Sequence, residues 1–196
     1  MLLSKSALRS QLRQARRALS EGAQARASRN IAKALFALPE FEHSKNIAAY
    51  LANDGEVSCS DLLNQFRLLR QVIYLPVIHP QKPQMSFYGY QMGQGLFPNR
   101  FGIEEPAHKR RAAFSAENLD MVLMPLVGFD RQGNRLGMGG GFYDRCFSFK
   151  KQRNTPPLMI GIAHSIQEVN SLPTEPWDVP LDIILTERET IRIQRR

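Results

Sequence analysis

The alternation of apolar and polar positions divides the chain into helical and extended stretches. Over residues 4–19, Leu8, Leu12, Ala15 and Leu19 recur at steps of four, three and four, one stripe along an amphipathic helix. Ser20 suits the cap of a second helix that runs to about Leu38, ahead of Pro39. NIAAYL (46–51) reads as a buried strand, DLLNQFRLLR (61–70) returns to helical spacing, and VIYLPV (72–77) and MSFYGY (85–90) read as strands. GQGLFPNRFGIEEP (93–106) is dense in turn residues and reads as an ordered loop. DMVLMP (120–125), a short apolar run ended by proline, has the form of a buried strand; a glycine-rich loop and then a helix near 141–150 follow it. LMIGIA (158–163) and LDIILTE (181–187) add two strands. Strands alternating with helices predict an α/β fold, a single three-layer domain over residues 1–196 with a mainly parallel central sheet flanked by helices. Ligands of such sheets lie beyond the C-terminal strand ends. Glu56 follows the first strand there, the glycine loop follows DMVLMP, and His164 follows LMIGIA.

Composition changes this picture little. No apolar run approaches the roughly 20 residues of a membrane span, and the basic N-terminus lacks the apolar centre of a secretory signal. A cytoplasmic chain with no membrane partner is the expectation, an Arg- and Ser-rich organellar leader being the alternative. Cys59 and Cys146 are too few for a disulfide framework and stand in no C-x-x-C pair, so they read as reduced, small buried hydrophobes. Charge is more telling. Of the net +8, residues 1–33 contribute +7: eight basic side chains against Glu21 alone. An excess confined to one helix points to an anionic partner. Lys5, Arg9, Arg13 and Arg16 keep the rhythm of the apolar stripe roughly 100° around the helix, at the rim of its buried face, where groups lining a cleft stand. A solvated basic face is the alternative. Nucleic-acid binding is a further one, but base stacking calls for interleaved aromatics and the first aromatic is Phe36.

The densest chemical signal is GMGGG, residues 137–141. Four glycines in five positions weaken regular structure and suit a backbone that passes close to an anion with several N–H groups aimed at it; a flexible surface loop is the alternative. Walker A, dinucleotide, zinc-helix and hydrolase-elbow patterns are all absent. Asp144, three residues past the last glycine, suits a Mg²⁺ ligand or a helix cap equally. Asp178, in the stiff EPWDVPLD segment, suits a second metal ligand or a rigid turn. Tyr50, Leu51, Glu56, Phe101 and Trp177 are candidates to frame a ring-shaped substrate, and no shared spacing gives His43, His79, His108 or His164 a catalytic role.

Together, KSALR, YLANDGEV, LPVI, NRFGIEEP, MPLVGFDRQGNRLGMGGGFYDR, IGIAHSIQEV and LPTEPWDVPLD resemble the 5-formyltetrahydrofolate cyclo-ligase family over nearly the whole chain. The resemblance implies a single α/β domain that converts 5-formyltetrahydrofolate to 5,10-methenyltetrahydrofolate, turning ATP into ADP and phosphate with Mg²⁺. It implies ATP contacts at Lys5, Arg9, Arg135, Leu136, Gly137, Met138, Gly139, Gly140, Gly141, Phe142 and Tyr143, with Arg135 and Tyr143 as the catalytic pair. Leu51, Glu56 and Met138 to Phe142 match folate contacts, and Asp144 and Asp178 match magnesium positions. The partners implied are folate and ATP, without nucleic acid, on a monomer. Some members carry basic residues where this chain has Met138 and Gly140, which leaves phosphate neutralisation to Lys5, Arg9, Arg135 and Arg145. A nucleic-acid-binding protein acting through the first helix, and a different ATP-dependent ligase, remain as alternatives.

Overall fold

A computed structural model describes residues 4–66, 71–108, 111–151 and 156–194. Helix α1 (Lys5–Arg17) is capped by Ser4, whose Oγ accepts from the Ala7 amide at 3.2 Å, and α2 (Glu21–Phe36) by Ser20, whose Oγ accepts from the Ala23 amide at 3.3 Å. Pro39 does not merely end α2. It opens a short helix, α3 (Pro39–His43), because its fixed φ suits a first helical turn. Strand β1 (Asn46–Ala48) is followed by α4 (Ser60–Phe66), β2 (Val72–Ile78) and β3 (Met85–Tyr90). The remainder of the helix expected over 61–70 lies outside the described residues.

The stretch expected as a loop at 93–106 is a small hairpin, β4 (Leu96–Pro98) with β5 (Glu104–Pro106). Asn99 builds its turn: Oδ1 accepts from Phe101 N at 2.8 Å and Ile103 N at 3.1 Å, while Nδ2 donates to Glu105 at 2.7 Å. After β6 (Met121–Pro125) comes a second unanticipated hairpin, β7 (Gly128–Phe129) with β8 (Arg135–Leu136). Its turn forms around the fully buried Asp130, which accepts from the amides of Gln132, Asn134 and Leu172 and from Asn134 Nδ2. The helix expected over 141–150 is a five-residue α5 (Phe142–Cys146) continued by a 3₁₀ turn, Ser148–Lys151. Strands β9 (Leu158–Ile162), β10 (Ile183–Leu185) and β11 (Thr190–Arg192) complete the chain, the last of them also unanticipated.

Seven strands form one sheet in the order β11-β10-β9-β6-β1-β2-β3. The five from β10 to β2 are parallel, and β3 and β11 close the edges antiparallel. Period-two alternation divides each inner strand between two cores. Ile47, Ile73, Leu75, Met121, Leu123, Ile160, Ile183 and Leu185 face a core completed by Ile31, Leu35, Phe41 and Leu62 of α2, α3 and α4. Ala48, Tyr74, Val122, Met124, Met159 and Ile184 face the opposite core, with Phe87, Phe129, Phe147 and Leu181. Burial on both faces explains the continuous apolar runs. Helix α1 belongs to neither layer. It lies across the C-terminal strand ends, where Leu12 joins Val127, Leu136 and Leu172 in a small third core. Leu12 Cδ1 comes so close to Gly128 that a Cβ there would stand 2.5 Å away. Among the described residues no helix is long and apolar enough to cross a membrane.

Candidate active site

At the carboxyl ends of β1, β2 and β6 the chain leaves a cleft of about 700 Å³. Its walls are α1, the turn after β1, the β4–β5 hairpin, the glycine loop and the EPWD segment. The structure brings together Lys5, Arg9, Leu51, Glu56, Arg135 to Asp144 and Asp178, every residue singled out above as a nucleotide, folate or metal contact. Tyr50, Phe101 and Trp177 line it too, and Phe101, Met138 and Trp177 are among the large apolar side chains most open to solvent. An exposed apolar rim around a charged floor suits a ligand with both a ring and anionic groups.

The glycine loop leaves β8 and enters α5. Gly139 has φ 99° and Gly141 φ 61°, conformations that L side chains rarely adopt. Among the described residues no backbone carbonyl accepts from the amides of Gly137 to Phe142 outside α5 itself, and residues 137–140 are exposed. The loop therefore lines the cleft with N–H groups that no backbone carbonyl takes up. Its carbonyls are engaged elsewhere: Arg9 Nε donates to Gly137 O at 2.8 Å, and Arg145 Nη2 donates to Gly140 O. Arg145 also donates to Pro83 O at 2.7 Å and does not line the cleft, so it braces the loop from behind. The cations that join the cleft instead are Arg13 and Arg17.

Arg135 is committed as well. Nη2 donates to Asp144 Oδ1 at 2.5 Å and Nη1 to the Val179 carbonyl, while Val179 N donates to the same Asp144 oxygen at 3.0 Å. Asp144 Oδ2 has no protein partner among the described residues. Asp178 is similar: Oδ2 accepts from Glu175 N at 2.8 Å and faces Lys5 Nζ at 3.6 Å, and Oδ1 has no protein partner among the described residues. Lys5 also pairs with Glu175 at 3.4 Å. Among the described residues no group of three or more His, Cys, Asp or Glu side chains is arranged to hold a metal ion by itself.

Opposite the loop stands the turn Asn53–Glu56. Glu56 Oε2 accepts from Asn53 N at 3.1 Å, and burial pushes its carboxyl above the usual range, against the pull of that amide and of Arg16 and Arg13. Burial also raises the Tyr143 phenol well above its ordinary value; the Glu56 charge adds to the shift and Arg135 opposes it. Tyr143 is thus a neutral hydrogen-bond donor, and its hydroxyl makes no hydrogen bond to other described residues. Tyr50 turns its hydroxyl away, donating to Val57 O at 2.7 Å. Burial raises Cys59 to about 12 and Cys146 to about 11, so both remain thiols; Cys59 is buried and Cys146 only partly so. His164 follows β9 as expected but is buried outside the cleft, and burial lowers its pKa.

Two features go beyond the sequence reading. Arg16 is not at the rim but fully buried, because it follows Leu12 by one turn on the same face. Asp54 receives Arg13, Arg16 and Arg17 together. Burial alone would raise its carboxyl, but hydrogen bonds from Arg13, Arg17 and Arg16 outweigh that and hold it at about 2. The Asp54–Gly55 dipeptide marks a turn in the sequence; its three partners lie 37 to 41 positions away and leave no local trace.

The model of the 5-formyltetrahydrofolate cyclo-ligase family matches residues 2–187. The chain belongs to that family. A Haemophilus influenzae protein named 5-formyltetrahydrofolate cyclo-ligase is 38% identical over 179 residues, covering 91% of this chain and 95% of its own. An Escherichia coli K12 protein of the same name is 37% identical over 176 residues, 89% of this chain and 96% of its own. The solved structure of Aquifex aeolicus 5,10-methenyltetrahydrofolate synthetase superposes with a TM-score of 0.83 at 33% identity, covering 99% of this chain and 95% of that one. The α/β architecture is therefore that of the family.

Proposed function

We propose that this protein is an ATP-dependent cyclo-ligase that converts 5-formyltetrahydrofolate to 5,10-methenyltetrahydrofolate. The observation that carries the proposal is the cleft itself, in which free loop amides, the α1 cations, two half-free carboxylates and an aromatic rim face one space. The formyl oxygen is a poor leaving group. Transfer of the ATP γ-phosphoryl to it makes a phosphate ester and ADP. N10 of the folate then attacks the activated carbon, the N10–C bond forms, the C–O bond breaks, and phosphate leaves with the former formyl oxygen while N10 gives up its proton to solvent. The protein has to position these atoms and neutralise charge.

Each group has a role in that scheme. The amides of residues 137–142, with Lys5 and Arg9, hold the phosphates. Tyr143, neutral and unpartnered, donates to the oxygen between phosphorus and the formyl carbon. Glu56 and Leu51 take the folate ring, Glu56 accepting from its N–H groups, and Phe101, Met138 and Trp177 cover its apolar faces. Arg135 serves by fixing Asp144 rather than as a free cation. Mg²⁺ fits Asp144 and Asp178, since each keeps one carboxylate oxygen free of protein partners and Mg²⁺ needs only one or two carboxylates besides water and phosphate oxygens. Bound there, the ion neutralises triphosphate charge. A monomer free in the cytoplasm suffices for this activity.

The α1 cations are engaged inward, on Gly137 O, Asp54, Glu175 and Asp178, which disfavours the nucleic-acid alternative. The test is Asp144→Asn. The variant should fold like the parent and lose about a hundredfold in turnover, partly restored by raised Mg²⁺. Turnover near the parental value would remove Asp144 from the metal site.

A further inference from the structure

Arg16 is a fully buried arginine of α1 that does not itself line the cleft. Nε donates to Asp54 O and Nη2 to Asp54 Oδ2, each at 2.8 Å, and Nη1 donates to Leu126 O, just past β6, at 3.0 Å. Nη2 also stands 3.7 Å from Glu56 Oε1. The turn it grips is unusual: Asp54, with φ 55°, is the only non-glycine residue at positive φ among the described residues, and Gly55 follows at φ 76°. His164 Nε2 donates to Gly55 O at 3.2 Å from the far side. The Asp54 carboxylate in turn holds Arg13, which lines the cleft, at 2.7 Å.

An apolar side chain of similar volume would usually serve stability as well as a buried ion pair does. What the arginine adds is geometry. It ties one face of α1, the turn carrying Glu56 and the end of β6 through a single planar group with fixed donor directions. Arg16 itself stands outside the residues that line the cleft, so it can act on a ligand only through its neighbours.

We propose that Arg16 is a positioning residue: acting through the Asp54–Gly55 turn, it sets Glu56 for the folate ring at a fixed separation from the α1 cations on the phosphate side. This rests on the cyclo-ligase function proposed above. Lysine in its place keeps the charge but cannot reach Asp54 and Leu126 together. The turn relaxes, Glu56 loses its place, and the ring is held out of line with the phosphoryl group.

The test compares Arg16→Lys, Asp54→Asn and the double variant by steady-state kinetics in both substrates, with thermal melts alongside. Arg16→Lys should raise KM for 5-formyltetrahydrofolate about tenfold and lower kcat by up to about a hundredfold, with KM for ATP nearly unchanged. Asp54→Asn should show the same folate-selective pattern, and the double variant should be little worse than either single one, as for residues acting as a unit. A merely structural arginine would lower the melting temperature and the active fraction while leaving both KM values parental; that result overturns the proposal. Should Arg16→Lys fail to fold, Asp54→Asn, which leaves the buried guanidinium its two carbonyl acceptors, decides alone: a parental folate KM overturns the proposal. Absence of ATP-dependent turnover by the wild-type protein would instead remove the function on which it rests.

Discussion

At the scale of single residues, Glu56 joins an environment to a pH dependence. Burial raises its pKa, so its carboxylate begins to protonate above the usual carboxylate range. If the charged form accepts from the folate ring, substrate affinity falls on acidification through that raised value. The folate KM should therefore rise on the acid side in the wild type, and the acid limb should vanish in Glu56→Gln, with a KM that is high at every pH. A pH series of folate KM for both proteins checks this. Asp54 has the opposite sign. Its folded pKa of about 2 lies below the ordinary value, so its contribution to stability is complete above the unfolded pKa and is lost as pH falls through about 2. Acid unfolding of Asp54→Asn should accordingly be shallower over that window than the parent's. Tyr143→Phe removes one donor from the cleft and no described protein hydrogen bond. It should cost about a hundredfold in kcat with an unchanged melting temperature, as measured by single-turnover kinetics and a thermal melt.

At the scale of elements, the glycine loop was legible from the sequence and the hairpins were not. GMGGG announced itself because glycine density has few other uses, and the structure assigns two of the four a positive φ. Gly139→Ala imposes strain of roughly 1–2 kcal/mol at an exposed position. Nucleotide affinity should fall about tenfold while the melt moves by only a few degrees. Titration with a non-hydrolysable ATP analogue separates the two effects. The β4–β5 and β7–β8 hairpins escaped because they arise from single polar side chains, Asn99 and Asp130, each bonding several backbone groups, rather than from periodicity. Strand β11 escaped for lack of signal: three residues at a sheet edge, of which only Ile191 is buried. Pro39 was visible but ambiguous, since proline both stops one helix and starts the next.

At the scale of the whole molecule, the parallel sheet was readable because strands buried on both faces must be continuously apolar. That sheet fixes where a ligand sits, and the cleft lies at its carboxyl end. The Arg16–Asp54 junction was not readable, because it joins positions 38 apart through one buried guanidinium. The same junction makes α1 part of the site rather than an outer layer, so ligand binding and global stability are linked. Saturating folate with a non-hydrolysable ATP analogue should raise the melting temperature by several degrees, as an excess of about a hundredfold over Kd stabilises by about 2.7 kcal/mol. The most direct test of the central claim follows methenyl product by its ultraviolet absorbance, using purified protein, 5-formyltetrahydrofolate and Mg²⁺, with and without ATP. The account predicts steady product formation that begins only when ATP is added and releases one ADP and one phosphate per ring closed. No product with ATP present, or equal product without it, would contradict it.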